Sequence, residues 1–550
     1  MVGRYLIGLD FGTLSVRGVL IDAGSGVAID HHASPYRHGV MSGSLADGTP
    51  LPSGFALQDA GDYLIAAEEV LVRLGKDRHI LAIGVDFTAS SPLPTTADGT
   101  PLSELMPGEP HAYVKLWKHS AAQRYADAIN GSGGAFLDDF GGRLSGEWLL
   151  AKAAQVATEA PAVWAAAERF IEAGDWMVMQ LTGCEARNLG FAAYKAQYSA
   201  HHGYPTGIVP NLDARLARPL PAGSPAGDLN AEWRRRTGIR GPATVAVAII
   251  DSHAVLPAIG AVEDGTMVGA LGTSAAYLFL AERRLALPDG LEGVAYDGSL
   301  PGFWLYEAGQ AAFGDVLAWF VRTFPRGPDL TASFAAYNAE AAALAPGDNH
   351  LIGLDWWNGN RVPHADSRLS GLLMGFGLDT TAAGIYRALM EAICYGTRQI
   401  LELATAGGLG TRRVVMTSGL AETNPLLLAI MADILGRDVE LPVIAHATAT
   451  GAAIHGAVAA GVVADFAEGA ARFGARSRRL FHPDAERSSR YQPLFSAYCE
   501  LAGLAPVRAA MRGIGPLADG GSNTLEKAAE PARDNGAAPT GSTLSRATFG

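Results

Sequence analysis

The chain has few cysteines and no spacing typical of a disulfide framework or a metal centre. Its three cysteines, Cys184, Cys394 and Cys499, lie far apart and form no CxxC pair. A sparse, odd set of this kind favours reduced thiols over structural disulfides. No group of histidines, cysteines and acidic residues has the spacing of a zinc site. Cys394 lies within an apolar helical pattern and is expected to be a buried packing residue.

Several common enzyme motifs are also missing. No GxxxxGK[ST] segment is present, which argues against a P-loop nucleotide hydrolase. No GxSxG segment marks the nucleophile turn of a serine hydrolase. No GxGxxG dinucleotide motif follows the first predicted strand. The chemistry therefore has to be sought in other segments.

Charge and apolar runs argue against two classes of partner. The net charge is -13, so the chain lacks the basic surface of a nucleic-acid binder and is not attracted to anionic membranes. The most apolar long stretch, residues 448–466, is rich in alanine and glycine. It predicts a closely packed interior helix rather than a membrane span. The chain starts directly with a strand pattern, so we expect no signal peptide and a cytoplasmic protein.

The chain does contain an α/β pattern, and this pattern is long enough for two large domains. Its 550 residues exceed what one core normally supports. Strand-like runs alternate with longer helical patterns, which indicates an α/β fold. The predicted strands include residues 80–87, 243–250, 302–309 and 412–420. The predicted helices include residues 62–75 and 385–401, and residues 417–436 predict a strand end, a glycine turn and one long helix.

Two similar hairpins open the two halves of the chain. Residues 5–22 and 266–282 each contain an apolar strand, a turn with Gly-Thr, and a second apolar strand. Glycine accepts φ > 0 and lets backbone N–H groups approach an anion closely, and the Thr and Ser hydroxyls add donors. Two such turns on two lobes predict a nucleotide held between them, and therefore an enzyme that uses ATP.

These hairpins also set the expected domain limits. We expect an N-terminal domain over residues 1–260 and a C-terminal domain over residues 261–510. From about residue 511 the chain becomes rich in Gly, Ser, Ala and Pro without apolar periodicity. Such a segment predicts a disordered tail.

Two aspartates follow apolar runs at places where chemistry is expected. Asp10 lies in the turn GLDFGT, where its carboxylate could hold Mg²⁺ beside ATP phosphates, because Mg²⁺ prefers hard oxygen ligands. The alternative is an ordinary turn aspartate bonded to its own backbone. Asp251 ends the run VAVAII and could be an N-cap. It could equally be a general base at the carboxyl edge of a sheet, and the two interpretations are compatible.

Other polar residues give weaker signals. Lys195 and Glu307 could hydrogen-bond a polyhydroxy substrate, although a lone Lys or Glu is usually a solvated surface group. His253 and His455 are expected to be structural rather than catalytic. The segment TSGLAETN, within residues 417–436, offers a Gly-lined slot suited to adenine, and its alternative is a plain strand–turn–helix unit.

With these segments in hand, the chain resembles the FGGY carbohydrate kinases. The match runs from about residue 5 to about residue 504, and within the family it is most similar to the kinases of L-ribulose. The segments that carry it include GLDFGTLSVRG, GVDFTASSPLPTTADGTPL, KLWKHSAAQ, LSGEWLLAK, IIDSHAVLPAIGA, GALGTS, EAGQAAFGD, DWWNGNR and GLAETNPLL. KLWKHSAAQ and EAGQAAFGD are more specific than the general kinase motifs.

The resemblance implies two RNase-H-like domains of the actin and hexokinase type, with ATP and sugar in the cleft between them. It implies Mg²⁺ as cofactor, with Asp10 as its ligand, and Asp251 as catalytic base. The residues it implies for ATP are Asp10, Gly12, Thr13, Ser15, Gly272, Thr273, Ser274, Gly419, Leu420 and Asn424. Those it implies for the sugar are Ala89, Trp117, Lys118, Lys195, Asp251 and Glu307.

The implied reaction is ATP-dependent phosphorylation of L-ribulose at O5, as part of L-arabinose catabolism. The alternatives are an FGGY kinase for D-ribulose, ribitol or xylulose, a non-catalytic sugar or nucleotide sensor, and an actin-like or chaperone ATPase. The sequence leaves the oligomeric state open, with a homodimer as one alternative. Two segments depart from the family. Ser418 stands where a second glycine is commoner, and Ala383 and Gly384 stand where a polar or charged residue is expected.

Overall fold

The computed structural model describes residues 3–514 of the chain. Its strands are β1 Arg4–Phe11, β2 Ser15–Asp22, β3 Ala28–Pro35, β4 Leu57–Gln58, β5 His79–Phe87, β6 Pro92–Thr95, β7 Val114–Lys115, β8 Arg169–Glu172, β9 Arg187–Asn188, β10 Pro219–Leu220, β11 Pro225–Asp228, β12 Thr244–Ala246, β13 Ile249–Ile250, β14 Thr266–Leu271, β15 Ala275–Ala281, β16 Gly293–Tyr296, β17 Trp304–Gln310, β18 Ile352–Leu354, β19 Leu372–Met374, β20 Arg413–Thr417, β21 Val439–Val443 and β22 Ser477–Phe481.

The α-helices lie between and around these strands. They are α1 Ala60–Gly75, α2 Leu102–Leu105, α3 Gln123–Ser132, α4 Leu149–Glu159, α5 Pro161–Ala166, α6 Ala173–Thr182, α7 Leu189–Ala196, α8 Ala231–Thr237, α9 Asp251–Ala258, α10 Gly314–Thr323, α11 Leu330–Ala342, α12 Ala382–Ala406, α13 Gly419–Thr423, α14 Pro425–Leu435, α15 Ala447–Ala459, α16 Phe466–Phe473, α17 Ala485–Gly503 and α18 Ala505–Ile514.

Two seven-stranded sheets organise the molecule, and they are built alike. The first has the order β11-β12-β5-β1-β2-β3, with β13 also paired to β5. The second has the order β16-β17-β15-β14-β20-β21-β22. In each, an antiparallel meander that starts with the Gly-Thr hairpin is extended by parallel strands, β5 in the first sheet and β20 in the second. This repetition agrees with the expected pair of RNase-H-like domains.

Most predicted elements are confirmed, with two corrections. Predicted strand 243–250 is interrupted between β12 and β13, because Val245 pairs with Ile83 and Ile249 with Asp86, which leaves one more residue on this strand than on β5. The predicted long helix before Gly436 is divided into α13 and α14. Pro425 has no N–H to continue the first helix, and the Asn424 side chain accepts from the Leu427 amide at 3.1 Å to cap the second.

Helix α15 confirms the interior helix expected from the Ala/Gly-rich stretch, and it lies against the first sheet. A Cβ placed on Gly8 would be 1.7 Å from the Ala449 carbonyl oxygen, and one on Gly84 would be 1.6 Å from that of Ala452. Helices α15 and α16 therefore join the first hydrophobic core, although they come from beyond residue 260. The expected division at residue 260 stays a prediction.

The structure also bears on the predictions for the cysteines, for membrane spans and for the C-terminal tail. Cys394 is buried as predicted, and all three cysteines are free thiols. No helix among residues 3–514 is long and apolar enough to cross a membrane. The expected tail begins within α18, which extends to Ile514. From residue 515 onward the expectation lies outside the described residues.

Replacing Gly84 by alanine tests the close contact between α15 and the first sheet. The added methyl group would overlap the Ala452 carbonyl, so strand and helix must separate. We expect Gly84→Ala to lower the free energy of unfolding by at least about 2 kcal/mol, measured by urea denaturation. The control is Gly43→Ala at an exposed glycine, where an added methyl group would have no atom within 4 Å, and it should change stability by less than about 0.5 kcal/mol. Equal effects would contradict the packing argument.

Candidate active site

Three aspartates stand at the carboxyl ends of neighbouring parallel strands of the first sheet. Asp10 lies in β1 directly beside Asp86 in β5, and β13 pairs with β5 so that Ile249 lies beside Asp86. Asp251 follows β13 immediately and is the first residue of α9, with Ile250 in the cap position. Its Oδ1 accepts from the Ser252 amide at 2.7 Å. The sheet thereby collects three carboxyl groups at one edge, where ligands of α/β folds tend to bind.

Burial makes ionisation of these carboxyl groups costly. Burial raises the pKa of Asp10, although the Arg17 guanidinium, 2.9 Å from Asp10 Oδ2, partly opposes it. Burial and the charges of Asp10 and Asp251 raise the pKa of Asp86 well above its usual range. Burial raises the pKa of Asp251 to about 6, with a smaller contribution in the same direction from Asp10. Perturbed carboxyl groups of this kind are typical of functional sites.

Asp86 was missed by the sequence reasoning, although the chain carries a signal for it. The segment Gly-Leu-Asp-Phe at residues 8–11 is echoed by Gly-Val-Asp-Phe at residues 84–87. The two segments lie in register on adjacent strands, with the rings of Phe11 and Phe87 stacked 5.0 Å apart. Because the two repeated segments pair in register, Asp86 lies next to Asp10.

The aspartate pair suits a hard cation. Both carboxylate oxygens of Asp86 are buried and have no hydrogen-bond partner among the described residues. Mg²⁺ is commonly held by one or two carboxylates together with phosphate oxygens and water. No group of three or more His, Cys, Asp or Glu side chains within residues 3–514 is arranged to hold a metal by protein ligands alone. A fit to Mg²⁺ thus rests on the Asp10–Asp86 pair.

The first Gly-Thr turn lies next to this pair. The Gly12 amide donates to the Ser15 carbonyl at 3.1 Å and closes the turn, and the Thr13 carbonyl accepts from Gln58 Nε2 at 2.6 Å. Gly12 is not in the left-handed region, so the expected need for φ > 0 is wrong there; a Cβ would instead approach Arg17 Nη2 at 3.0 Å. This neighbour is the end of a flexible, exposed side chain, so neither backbone conformation nor close packing requires glycine at this position.

The second Gly-Thr turn is supported by the segment EAGQAAFGD. The Gly272 amide donates to the Ser274 carbonyl at 3.0 Å, and the Thr273 carbonyl accepts from the Phe313 amide at 2.9 Å. The Gly314 amide donates to the Gly272 carbonyl at 3.0 Å. Gly272, like Gly12, is not in the left-handed region, so the same correction applies. The start of α10 therefore holds this turn in place.

The residues expected near adenosine lie at the neighbouring strand end. Strand β20 runs parallel to β14, with Thr417 beside Ala270, so the turn at Gly419 and Leu420 adjoins the second Gly-Thr turn. Ser418 has φ of 80°, a conformation that favours glycine and that makes this residue the strained position of the turn. Asn424 is buried, with its side-chain oxygen used to cap α14.

Three of the residues expected to contact the sugar, Lys195, Asp251 and Glu307, interact with one another where the two lobes meet. Ala89, Lys195, Asp251 and Glu307 are each partly exposed, whereas most of their neighbours in the chain are buried. Burial alone would raise the pKa of Glu307, but the Lys195 ammonium and a hydrogen bond from His253 hold it below its usual range. Lys195 also lowers the pKa of Asp251. Lys195, Asp251 and Glu307 thus form one electrostatic cluster.

His253 links the lobes at this cluster. Its ring is fully buried, with Nε2 2.7 Å from Glu307 Oε1 and Nδ1 2.7 Å from Ser299 Oγ. His253 was expected to be structural, and the structure adds that it orients Glu307. The sequence signal for a place near the site was its position two residues after Asp251 on the same helix.

Trp117 and Lys118 differ in their surroundings. The Trp117 indole is 37% exposed and its Nε1 donates to Thr13 Oγ1 at 3.1 Å, which places it against the first Gly-Thr turn. Lys118 is exposed, and its side chain makes no hydrogen bond or ion pair with the described residues. The structure brings Trp117 to the site and leaves Lys118 at its surface.

The chain is similar to known carbohydrate kinases along most of its length. The model for the FGGY family of carbohydrate kinases, C-terminal domain, matches residues 267–460. The chain is 38% identical over 534 residues to a ribulokinase of Halalkalibacterium halodurans, covering 91% of this chain and 95% of that protein. It is 37% identical over 529 residues to a ribulokinase of Mycolicibacterium smegmatis, covering 90% and 93%.

A solved structure shares the fold. The xylulose kinase from Rhodospirillum rubrum superposes with a TM-score of 0.80 at 22% identity, covering 92% of this chain and all of that one. At this identity the likeness establishes the two-domain architecture alone.

The raised pKa of Asp251 predicts a pH-dependent stability cost. The folded state binds this proton more tightly than the unfolded state, so the group favours folding below about pH 4, and this contribution is lost as pH rises through about 6. We expect Asp251→Asn to be more stable than wild type by about 1 to 3 kcal/mol at pH 7.5. The gain should shrink at pH 4.5 when urea unfolding is repeated there.

The control for this measurement is Asp289→Asn at an exposed position. It removes the same charge and should shift stability by less than about 0.5 kcal/mol at both pH values. A variant at Asp251 no more stable than wild type at pH 7.5 would show that the carboxylate is ionised without cost.

Proposed function

The chain belongs to the FGGY family of carbohydrate kinases, and we propose that it transfers the γ-phosphoryl group of ATP to O5 of L-ribulose, giving L-ribulose 5-phosphate and ADP. The observation that carries this proposal is the cluster of Lys195, Asp251 and Glu307 beside the Asp10 turn. The chain's identity to two ribulokinases over about nine-tenths of its length supports the choice of sugar.

Asp251 is the base in this proposal. It accepts the proton of the O5 hydroxyl while that oxygen forms a bond to the γ-phosphorus and the bond to the ADP oxygen breaks. Its partial exposure lets it reach a substrate. Its pKa of about 6 leaves the carboxylate ionised at pH 7 and basic enough to take a proton.

Two pairs of turn residues are the proposed phosphate donors. The amides of Gly12 and Gly272 close their own turns, so we assign phosphate contacts mainly to the residues that follow, Thr13, Ser15, Thr273 and Ser274. Gly419, Leu420 and Asn424 are proposed to border adenosine, with Asn424 acting through its capped helix. Closure of the lobes would exclude water, so that sugar rather than solvent is phosphorylated.

Mg²⁺ is the proposed cofactor. Asp10 and Asp86 would hold it, and when bound it would neutralise phosphate charge. Arg17 lies 2.9 Å from Asp10 Oδ2 and favours the ionised form of this carboxyl group.

The sugar contacts complete the proposal. Lys195 and Glu307 are proposed to donate to and accept from sugar hydroxyls, and the hydrogen bond from His253 to Glu307 supports this orientation of the carboxylate. Ala89, which is partly exposed, is proposed as a further sugar contact, Trp117 lies beside the first turn, and Lys118 is assigned to the rim. With ATP as co-substrate and its cysteines free, the protein is proposed to act in the cytoplasm, in L-arabinose catabolism.

A substrate panel tests the proposed reaction. ADP release with Mg·ATP would be measured against L-ribulose, D-ribulose, ribitol, D-xylulose and glycerol. We expect L-ribulose to have the highest kcat/KM, because a missing or inverted hydroxyl leaves buried polar groups without partners. If another sugar is preferred, the assignment of kinase activity stands and the assignment of L-ribulose as substrate is wrong. ATP binding without turnover of any of them would point to a sensor.

Asp251→Asn tests the proposed base. The substitution keeps the size of the side chain and removes its basicity, so kcat should fall about 10²- to 10⁴-fold. In the wild type, kcat/KM should fall tenfold per pH unit below about pH 6, as the base becomes protonated. Asp289→Asn should leave both unchanged. Near-normal turnover by the Asp251 variant, with ADP binding and near-UV circular dichroism preserved, would assign the base elsewhere.

A further inference from the structure

Lys152 is a fully buried lysine on α4 that lies outside the residues assigned above. Its ammonium donates to three main-chain carbonyls, those of Ser90 at 2.7 Å, Leu116 at 2.9 Å and Lys115 at 3.3 Å. An ammonium group has three N–H donors, so all of them are directed at backbone. The carbonyls belong to two segments distant in sequence, one after β5 and one at the end of β7.

Glu172 holds the first of these segments from the other side. It is buried at the end of β8, its Oε1 accepts from the Ser90 hydroxyl, and its Oε2 accepts from the Ser91 amide at 2.6 Å. Ser90 therefore lies between an ammonium and a carboxylate, with its carbonyl toward Lys152 and its hydroxyl toward Glu172. Two buried charges thus fix the path of this short segment.

Each fixed segment adjoins a residue of the site. Ala89 directly precedes Ser90 and is partly exposed, while Thr88, Ser90 and Ser91 are buried. Trp117 directly follows Leu116 and donates to Thr13 in the first Gly-Thr turn at 3.1 Å. A continuous series of hydrogen bonds and backbone therefore runs from Ala89 through Lys152 to Trp117 and Thr13.

We propose that Lys152 and Glu172 are positioning residues that set the location of the Ala89 segment relative to Trp117 and thereby the binding and orientation of the sugar. The inference rests on the proposed function. Removing the ammonium leaves three buried carbonyls without their donor, a cost the protein can relieve only by moving the segments or admitting water. Displacement by about 1 Å can cost on the order of 10²-fold in rate when reacting groups must be aligned.

The test is a comparison of Lys152→Met with Lys115→Met in the full chain. Both lysines are fully buried, but the Lys115 ammonium contacts His111 Nδ1 at 3.2 Å and the Phe55 ring and donates to no carbonyl of the two segments. Lys115→Met changes only this side chain and keeps the Lys115 carbonyl that Lys152 contacts. We expect Lys152→Met to lower kcat/KM for the sugar at least tenfold, chiefly through KM, with KM for ATP changed less than threefold. Lys115→Met should lower Tm similarly and leave the sugar KM within twofold of wild type.

Glu172→Met provides a second variant should Lys152→Met fail to fold. It keeps a similar side-chain length but removes both acceptors, so the Ser90 hydroxyl and the Ser91 amide lose their partner and the sugar KM should rise about three- to tenfold, again without an equal effect on ATP. Hydrogen exchange of the free protein should quicken at residues 88–91 in both variants and not in Lys115→Met.

The outcomes separate this inference from the proposed function. If the wild type is active and Lys152→Met or Glu172→Met leaves the sugar KM unchanged, or if the sugar and ATP constants change equally, the positioning role alone is contradicted. If the wild type prefers another pentulose, the same variants are compared with that sugar, and the result still tests the positioning role. A wild type that turns over no sugar contradicts the proposed function and this inference with it.

Discussion

The close contact of helix α15 with strands β1 and β5 is the constraint on which the rest of the site depends. Gly8 and Gly84 lie side by side, and each leaves room for a main-chain carbonyl of the helix where a methyl group would not fit. Two residues later along each strand come Asp10 and Asp86. Because the strands are held in register, the position of the helix fixes the position of both carboxyl groups.

The same helix also supports the second part of the catalytic edge. A Cβ on Gly451 of α15 would lie 1.7 Å from the Ala254 carbonyl oxygen, so α9 is packed against it as closely as the strands are. Helix α9 carries Asp251. An element from the C-terminal half of the chain therefore braces the two strands and the helix that carry these three aspartates.

Much of this could be predicted from the sequence, because the two Gly-Thr hairpins and the apolar runs are local signals. The strands around residues 5–22 and 266–282, and the helix at residues 447–459, follow directly from such signals. The pairing of Asp86 with Asp10 has a sequence signal in the repeated Gly-x-Asp-Phe segment. The contact of His253 with Glu307 and the network around Lys152 could not be predicted, because each joins residues distant in the chain. The division of the helix at Pro425 was readable from the proline and was overlooked. The purpose of Ser418, strained at a turn that favours glycine, is not explained by its contacts.

The hydrogen bond between His253 and Glu307 has a mechanical consequence. His253 and Asp251 are carried two residues apart on the short helix α9, whereas Glu307 belongs to the opposite lobe. A rotation of one lobe that shifts Glu307 is transmitted through this bond to the helix that also bears Asp251. The contact of Glu307 with the sugar and the position of the base are therefore coupled, so a substitution that moves one of these side chains is expected to move the other.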